Sequence, residues 1–359
     1  MFIYAIVLIG CCILLLMAHA GRHEQQKQVA YFCVFIITVF AAVRGYVGTD
    51  TYSYHMIFVD NSTETIIDIA KIIEPFFAIL IKSTALITDN SFVFIALIAI
   101  IQGFILVKLV NTSKNPIDFL VIYIAVFYLN FHFNILRAGT AILLLVWANR
   151  IPNDQENGAK FYLIGMAAVL THYSAAIGFF PMAFLRQKKA NTRLLATALM
   201  VIALVLAYYF VIGNDALYGK FLIYSGEFGF EESMATNWSF IFGLPIYFLL
   251  YISVVSRKNF LEISSLFLVW VGLRWMTTTL GFVGRVESIV NALLLFSVIE
   301  HILVGWRKQV RRAAILGLTI MWLIGTLLNI EEPVIPSGLS FNDDYLNSPF
   351  TPYRFLWEY

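Results

Sequence analysis

Charge is what this chain has least of. Asp, Glu, Lys and Arg make up 13% of its 359 residues, against 60% for the hydrophobic types. A soluble globular domain carries about 25% charged residues, so a water-facing surface of ordinary extent is excluded. Cysteine is scarce as well: the three residues Cys11, Cys12 and Cys33 all fall in the first two apolar segments. They have neither disulfide nor metal-ligand spacing and read as small core residues. There is no zinc motif, Walker loop or dinucleotide fingerprint, and no pair of aspartates spaced to hold a metal. The chain is expected to use no metal and no cofactor, and to have no nucleic-acid partner. It also lacks low-complexity segments, a soluble domain and an internal repeat, and the last absence argues against an inverted-repeat carrier.

What the chain has is hydrocarbon. Its mean hydropathy is +0.81, and apolar runs of about 20 residues, the length that crosses a bilayer as a helix, recur throughout. In a membrane the backbone must satisfy its own hydrogen bonds, so an all-α, polytopic bundle is expected. The apolar segments are 1–20, 29–43, 74–88, 91–110, 117–133, 135–149, 160–171, 174–185, 193–213, 238–256, 259–276, 286–304 and 312–330. They predict about 12 transmembrane helices plus short re-entrant or interfacial ones, in a single transmembrane domain over 1–359. Met1 to Ala20 reads as a first span and not as a removed signal peptide.

The basic loops are Arg22 to Lys27, Lys108 to Lys114, Arg150 to Lys160, Arg186 to Arg193, Arg257-Lys258 and Arg307 to Arg312. The positive-inside rule places them in the cytoplasm. Loops 44–73, 214–237 and 277–285 and the tail 331–359 then face outward. Two full crossings at 74–88 and 91–110 would put Lys108 outside. Either 74–88, which opens Glu74-Pro75 and carries Lys82, enters and leaves by the outer face, or one basic loop breaks the rule. By the same logic 160–185 reads as two short helices that meet at His172.

Four polar islands interrupt the apolar pattern, and ionisable groups at membrane depth mark functional sites by default. The first runs from Arg44 to Tyr54. Its Asp50 and tyrosines form either an interfacial aromatic cap or a sugar-facing loop, with Asp50 accepting hydroxyl hydrogen bonds or acting as a general base. The second runs from Asn130 to Arg137. On a continuous helix Asn130, Asn134 and Arg137 share one face. Arg137 either snorkels to the interface or clamps an anion, helped by the helix N-terminus. The third is Thr171-His172-Tyr173-Ser174. Its histidine is either a hydrogen-bonded core residue or a proton-transfer group whose acidic partner comes from elsewhere, Asp50 or Glu287. The fourth runs from Arg274 to Glu287, with Arg274 and Arg285 flanking a hydroxyl-rich outward loop. It binds an anion, or Arg285 and Glu287 form a structural ion pair. Cations for a diphosphate beside aromatics for a glycan suit a sugar on a lipid pyrophosphate.

These residues also carry a resemblance. Arg44-Gly45-Tyr46-Val47-Gly48-Thr49-Asp50-Thr51-Tyr52-Ser53-Tyr54 resembles the "R…vGtDt…Y" signature of EpsG-type proteins, a branch of the Wzy-like bacterial polysaccharide polymerases. Glu74-Pro75-Phe76-Phe77 fits the acidic-then-aromatic pattern that follows it. Asn134 to Ala141 is similar to the family's "iRq.iA" segment, with Ala138-Gly139 where Gln is more usual. Thr171 to Ser174 resembles its "HyS" element, and Pro352-Tyr353-Arg354 its terminal "PY" segment.

The resemblance implies a GT-C-like glycosyltransferase in the bacterial cytoplasmic membrane. It would extend O-antigen, capsule or exopolysaccharide on the outer face, with undecaprenyl-pyrophosphate-linked oligosaccharide as donor and acceptor. Membrane lipid would surround it, and a chain-length regulator and a flippase would be pathway partners. In that reaction Arg137 and Arg285, supported by Arg44 and Arg274, would hold the departing pyrophosphate. His172 or Asp50 would take the acceptor proton, and Asn134, Tyr54, Tyr173 and Glu287 would contact substrate. An O-antigen-ligase-type transferase and a lipid-linked oligosaccharide flippase are the two rival readings.

Overall fold

The computed structural model describes residues 2–48, 50–152, 154 and 156–185, with short helical stretches inside 292–296 and 315–324. The described residues form helices and no strands. By compactness the chain divides into two units. The first takes Met1–Trp147, Leu170–Tyr173 and Phe296–Tyr359; the second takes Ala148–Val169 and Ser174–Leu295.

In the first unit, α1 (Phe2–Ala18), α2 (His23–Ala42) and α6 (Ser91–Thr112) pack around α7 (Pro116–Ile122). α1 buries Tyr4, Leu8, Cys11, Cys12 and Leu15, a stripe at helical spacing, while Ile6, Ile9, Ile13 and Met17 stay exposed. An outward face this apolar on α1, repeated by Phe32 and Phe35 on α2 and Ile100 and Phe104 on α6, fits hydrocarbon and not water. Every residue of α7 is buried, and its one charged residue, Asp118, is paired with His19 at 3.0 Å. α6 is the one described helix both long and apolar enough to cross a bilayer by itself; the others are shorter or begin in polar residues. α2 starts at His23, six residues ahead of the apolar run, because the Gln25 side chain accepts from the Arg22 backbone N–H at 3.0 Å. α2 and α6 approach closely where Gly103 faces Thr38, and a β-carbon at 103 would meet the threonine side chain.

Segment 44–73 is more ordered than a loop. It contains α3 (Thr51–Asn61) and α4 (Ile66–Ile72). α3 buries Thr51, Tyr54, Phe58 and Asn61, a three-four spacing that puts them on one face. α5 (Pro75–Ala85) is too short to cross a bilayer, in keeping with a segment that does not span.

The second island departs from the sequence reading. From Pro116 the chain stays helical to Asn134, but its turns widen to π-helix at Tyr123–Phe127 and again at Asn130–Asn134. Ile135 (φ −83°, ψ 60°) then breaks the helix, and α8 (Leu136–Arg150) begins afresh. Asn130, Asn134 and Arg137 therefore do not share the face of one continuous α-helix. Gln102 on α6 ties the two sides of the break together: its amide donates to Phe131 O at 2.9 Å and to Leu136 O at 3.3 Å.

α9 (Gly158–Thr171), all but its last two residues in the second unit, is followed after a three-residue turn containing His172 by α10 (Ala175–Leu185). Two short helices do meet at this histidine, which itself belongs with Leu170–Tyr173 to the first unit.

Gly48 joins the first two islands. It sits at φ 102°, and a β-carbon there would collide with the Phe133 carbonyl group. Strain and overpacking are each of order 1–3 kcal/mol, so Gly48→Ala is expected to lower the thermal unfolding midpoint in detergent by several degrees. Gly158→Ala, where a β-carbon meets nothing within 4 Å, should leave it unchanged.

Candidate active site

The site is built on a Glu-Pro step. Pro75 occupies the first turn of α5, where its missing N–H is harmless. Proline keeps the preceding residue out of the helical region, and Glu74 is extended (φ −61°, ψ 144°). That geometry sets the Glu74 carboxylate at the head of α5, 5% exposed, above the apolar cluster of Tyr54, Phe58, Phe77 and Leu136.

Both carboxylate oxygens are taken. Oε1 lies 2.6 Å from His172 Nδ1, and Oε2 accepts from Arg137 Nη1, also at 2.6 Å. His172 is buried, and Arg137 keeps a quarter of its side chain exposed. Tyr54, on the inner face of α3, completes the group. Its hydroxyl accepts from the Arg137 backbone N–H at 3.2 Å, meeting an unpaired donor at the start of α8. Its ring centroid lies 5.9 Å from the Arg137 guanidinium carbon.

The electrostatics follow from this contact set. Burial alone would push the Glu74 carboxyl up, but the His172 hydrogen bond and the Arg137 charge outweigh it and hold the group at about 2. Glu74 is therefore an ionised acceptor, so His172 Nδ1 must be the donor. His172 Nε2 is buried and has no hydrogen-bond partner among the described residues, and Arg137 Nε is in the same position. A histidine oriented through one nitrogen with the other unused, beside a cation with spare N–H groups, can accept a proton next to a developing negative charge.

The other candidates fall as follows. Arg44 is 1% exposed, with its guanidinium carbon 4.6 Å from the centroid of the Phe133 ring, inside the junction of the first two islands. Asp50 is half-buried at the start of α3, where its carbonyl accepts from Tyr54 N at 3.0 Å. Asn134 closes the second π-helical segment and is half-buried. Tyr173 is exposed beside His172. Arg274, Arg285 and Glu287 lie outside the described residues, as do loops 214–237 and 277–285 and the tail 331–359. Among the described residues the acidic partner of His172 is Glu74, where the sequence alone suggests Asp50 or Glu287. Sequence distance conceals the pairing, since 98 positions separate the two residues. The signal that could have found it is the Glu-Pro step, an acid fixed at a helix start. Among the described residues, no three of His, Cys, Asp and Glu cluster as a metal site would require.

The EpsG family model matches residues 28–353, a span that includes Tyr54, Glu74, Arg137 and His172. The chain belongs to the EpsG family. EpsG proteins are polysaccharide polymerases of the Wzy type, which makes this a membrane polymerase acting on a lipid-linked oligosaccharide. No curated protein and no solved structure matches the chain.

The folded Glu74 carboxyl binds its proton less tightly than an ordinary glutamate at 4.5. The stability it contributes is complete above that value and is lost as pH falls towards about 2. Thermal unfolding of the EpsG protein in detergent should show its midpoint dropping across this acid window, and Glu74→Gln should flatten the drop. A wild-type midpoint that does not move there would contradict the pairing.

Proposed function

We propose that this EpsG protein transfers a growing glycan from undecaprenyl pyrophosphate to the terminal sugar of a lipid-linked repeat unit, on the outer face of the cytoplasmic membrane. The observation that carries the reading is the orphan Nε2 of buried His172, two hydrogen bonds away from Arg137 through a single carboxylate. In the proposed step an acceptor hydroxyl oxygen forms a bond to the anomeric carbon of the donor sugar. The bond from that carbon to the pyrophosphate oxygen breaks, and its electron pair leaves with the pyrophosphate. The hydroxyl proton passes to His172 Nε2. Arg137 stabilises charge on the leaving group through N–H groups that Glu74 does not use, aided by the N-terminal end of α8. Asp50, close to Tyr54 on the same helix start, orients the acceptor sugar. Arg274 and Arg285 supply further cations, and about 12 spans in a GT-C-like arrangement complete the membrane domain. A flippase would deliver the substrate and a chain-length regulator would limit the product.

The test is reconstitution. Purified protein in lipid, given its cognate undecaprenyl-pyrophosphate repeat unit, should produce a ladder of glycan lengths on a gel. A ladder grown from single repeat units separates polymerisation from ligation, and new glycosidic bonds separate it from flipping. Loss of a general base typically costs 10²–10⁴-fold in rate, so His172→Ala should erase the ladder, and Arg137→Ala should lower the rate at least ~10²-fold. Wild-type ladders from folded forms of both variants would end the assignment.

A further inference from the structure

We propose that Glu74 is a positioning residue that dictates which nitrogen of His172 carries the proton, and that Arg137 enforces this choice by claiming the second carboxylate oxygen. The proposal rests on the polymerase reading for its catalytic consequence, but its structural content stands apart from any substrate.

Each partner's hydrogen-bonding role is fixed by its chemistry. A carboxylate only accepts hydrogen bonds, and a guanidinium only donates them. Oε2 faces Arg137 Nη1 and Oε1 faces His172 Nδ1, each at 2.6 Å. With both oxygens accepting, a neutral His172 has its hydrogen on Nδ1 and its lone pair on Nε2. That leaves a base at the unpartnered nitrogen. A neutral ring with the hydrogen on Nε2 would present a donor there and could not take the acceptor proton.

Arg137 makes the arrangement sensitive to a single atom. In Glu74→Gln one carboxylate oxygen becomes an NH₂ group. Arg137 cannot face that group productively, because both would be donors, so the amide oxygen turns to Arg137. The amide NH₂ then faces His172 Nδ1, which must become an acceptor, and the ring hydrogen moves to Nε2. An isosteric change that keeps shape and burial thus converts the base into a donor. Removing the competitor reverses the effect: with Arg137→Leu added, the amide oxygen is free to turn to Nδ1, and the original tautomer returns.

The decisive experiment reads the ring directly. The full chain is labelled with ¹⁵N-histidine and reconstituted in lipid nanodiscs without substrate. His172 is assigned by the signal missing from His172→Gln. Above the pH at which the ring is charged, the wild type should show the hydrogen on Nδ1, Glu74→Gln should show it on Nε2, and Glu74→Gln/Arg137→Leu should show it on Nδ1 again. Glu74→Asp should keep the wild-type tautomer. In the polymerase assay Glu74→Gln should lose of order 10²–10⁴-fold in kcat with KM little changed, the scale expected when a base is held in the wrong tautomer; Glu74→Asp should recover part of that loss. A wild-type ring with its hydrogen on Nε2 overturns the proposal by itself, even if the Gln variant fails to fold. A folded Glu74→Gln protein that keeps the Nδ1 hydrogen overturns it as well. Correct tautomers in a protein that makes no glycan ladder would leave the positioning role intact and refute the polymerase assignment of the site.

Discussion

A carboxylate shut away from water has to be paired, and that requirement organises the described part of this protein. Burying an unpaired ion costs many kcal/mol, whereas removing one partner from a buried pair typically costs about 3–5 kcal/mol. Glu74 meets the requirement with two partners, one on each oxygen. The consequence is architectural: the head of α5, the first turn of α8 and the turn between α9 and α10 are tied to one atom group. Tyr54 adds the start of α3's inner face to the same knot through the Arg137 backbone. Residues from three of the polar islands, Tyr54, Arg137 and His172, become intelligible as one assembly around Glu74. A bridge of this kind is a poor way to gain stability, since well-packed apolar residues would serve as well or better. The catalytic role proposed above gives the bridge a reason that stability does not.

The surrounding fold holds that assembly within an apolar bundle. Exposed apolar faces on α1, α2 and α6 turn towards lipid, and the wholly buried α7 leads into two widened turns. The break at Ile135 is bridged by Gln102 of α6, which donates to a carbonyl on each side of it. What the break achieves is a second helix start, at Leu136, within reach of Glu74 and Tyr54. A continuous helix would have carried Arg137 in mid-helix, with its backbone N–H already used. The kink therefore delivers a helix N-terminus, with its positive end, to the place where the guanidinium is needed.

Much of this was legible in the sequence, for reasons that can be named. Apolar runs report membrane helices because hydrocarbon tolerates little else, and the breaks at His172 and near Ile135 fall where polar residues interrupt those runs. Charge parity raises doubt that 74–88 crosses the membrane, and α5 is only 11 residues long. Arg137 and His172 stood out because charge and imidazole are conspicuous against such a background. The helices inside 44–73 were missed although Tyr54, Phe58 and Asn61 recur at helical spacing, because the polar residues between them read as a loop. The π-helical turns had no visible signature; they and the intervening Tyr128 carry tertiary hydrogen bonds, from Gln102 to Phe131 O and from Tyr128 to Ile37 O, that sequence does not display. Glu74 was read as part of a family pattern and not as the partner of His172. Pairing across 98 residues is a product of the fold, and a helix-heading acid has many uses.

The account stands or falls on Glu74, His172 and Arg137 acting as one catalytic unit and not as a structural ion network. A double-mutant cycle on Glu74→Gln and His172→Gln, read as the rate of adding one repeat unit in a single turnover, addresses this most directly. Residues that act as a unit are strongly non-additive. The prediction is that the double variant is no slower than His172→Gln alone. If the two losses multiply while both proteins remain folded, Glu74 does not work through His172, and the central claim is wrong.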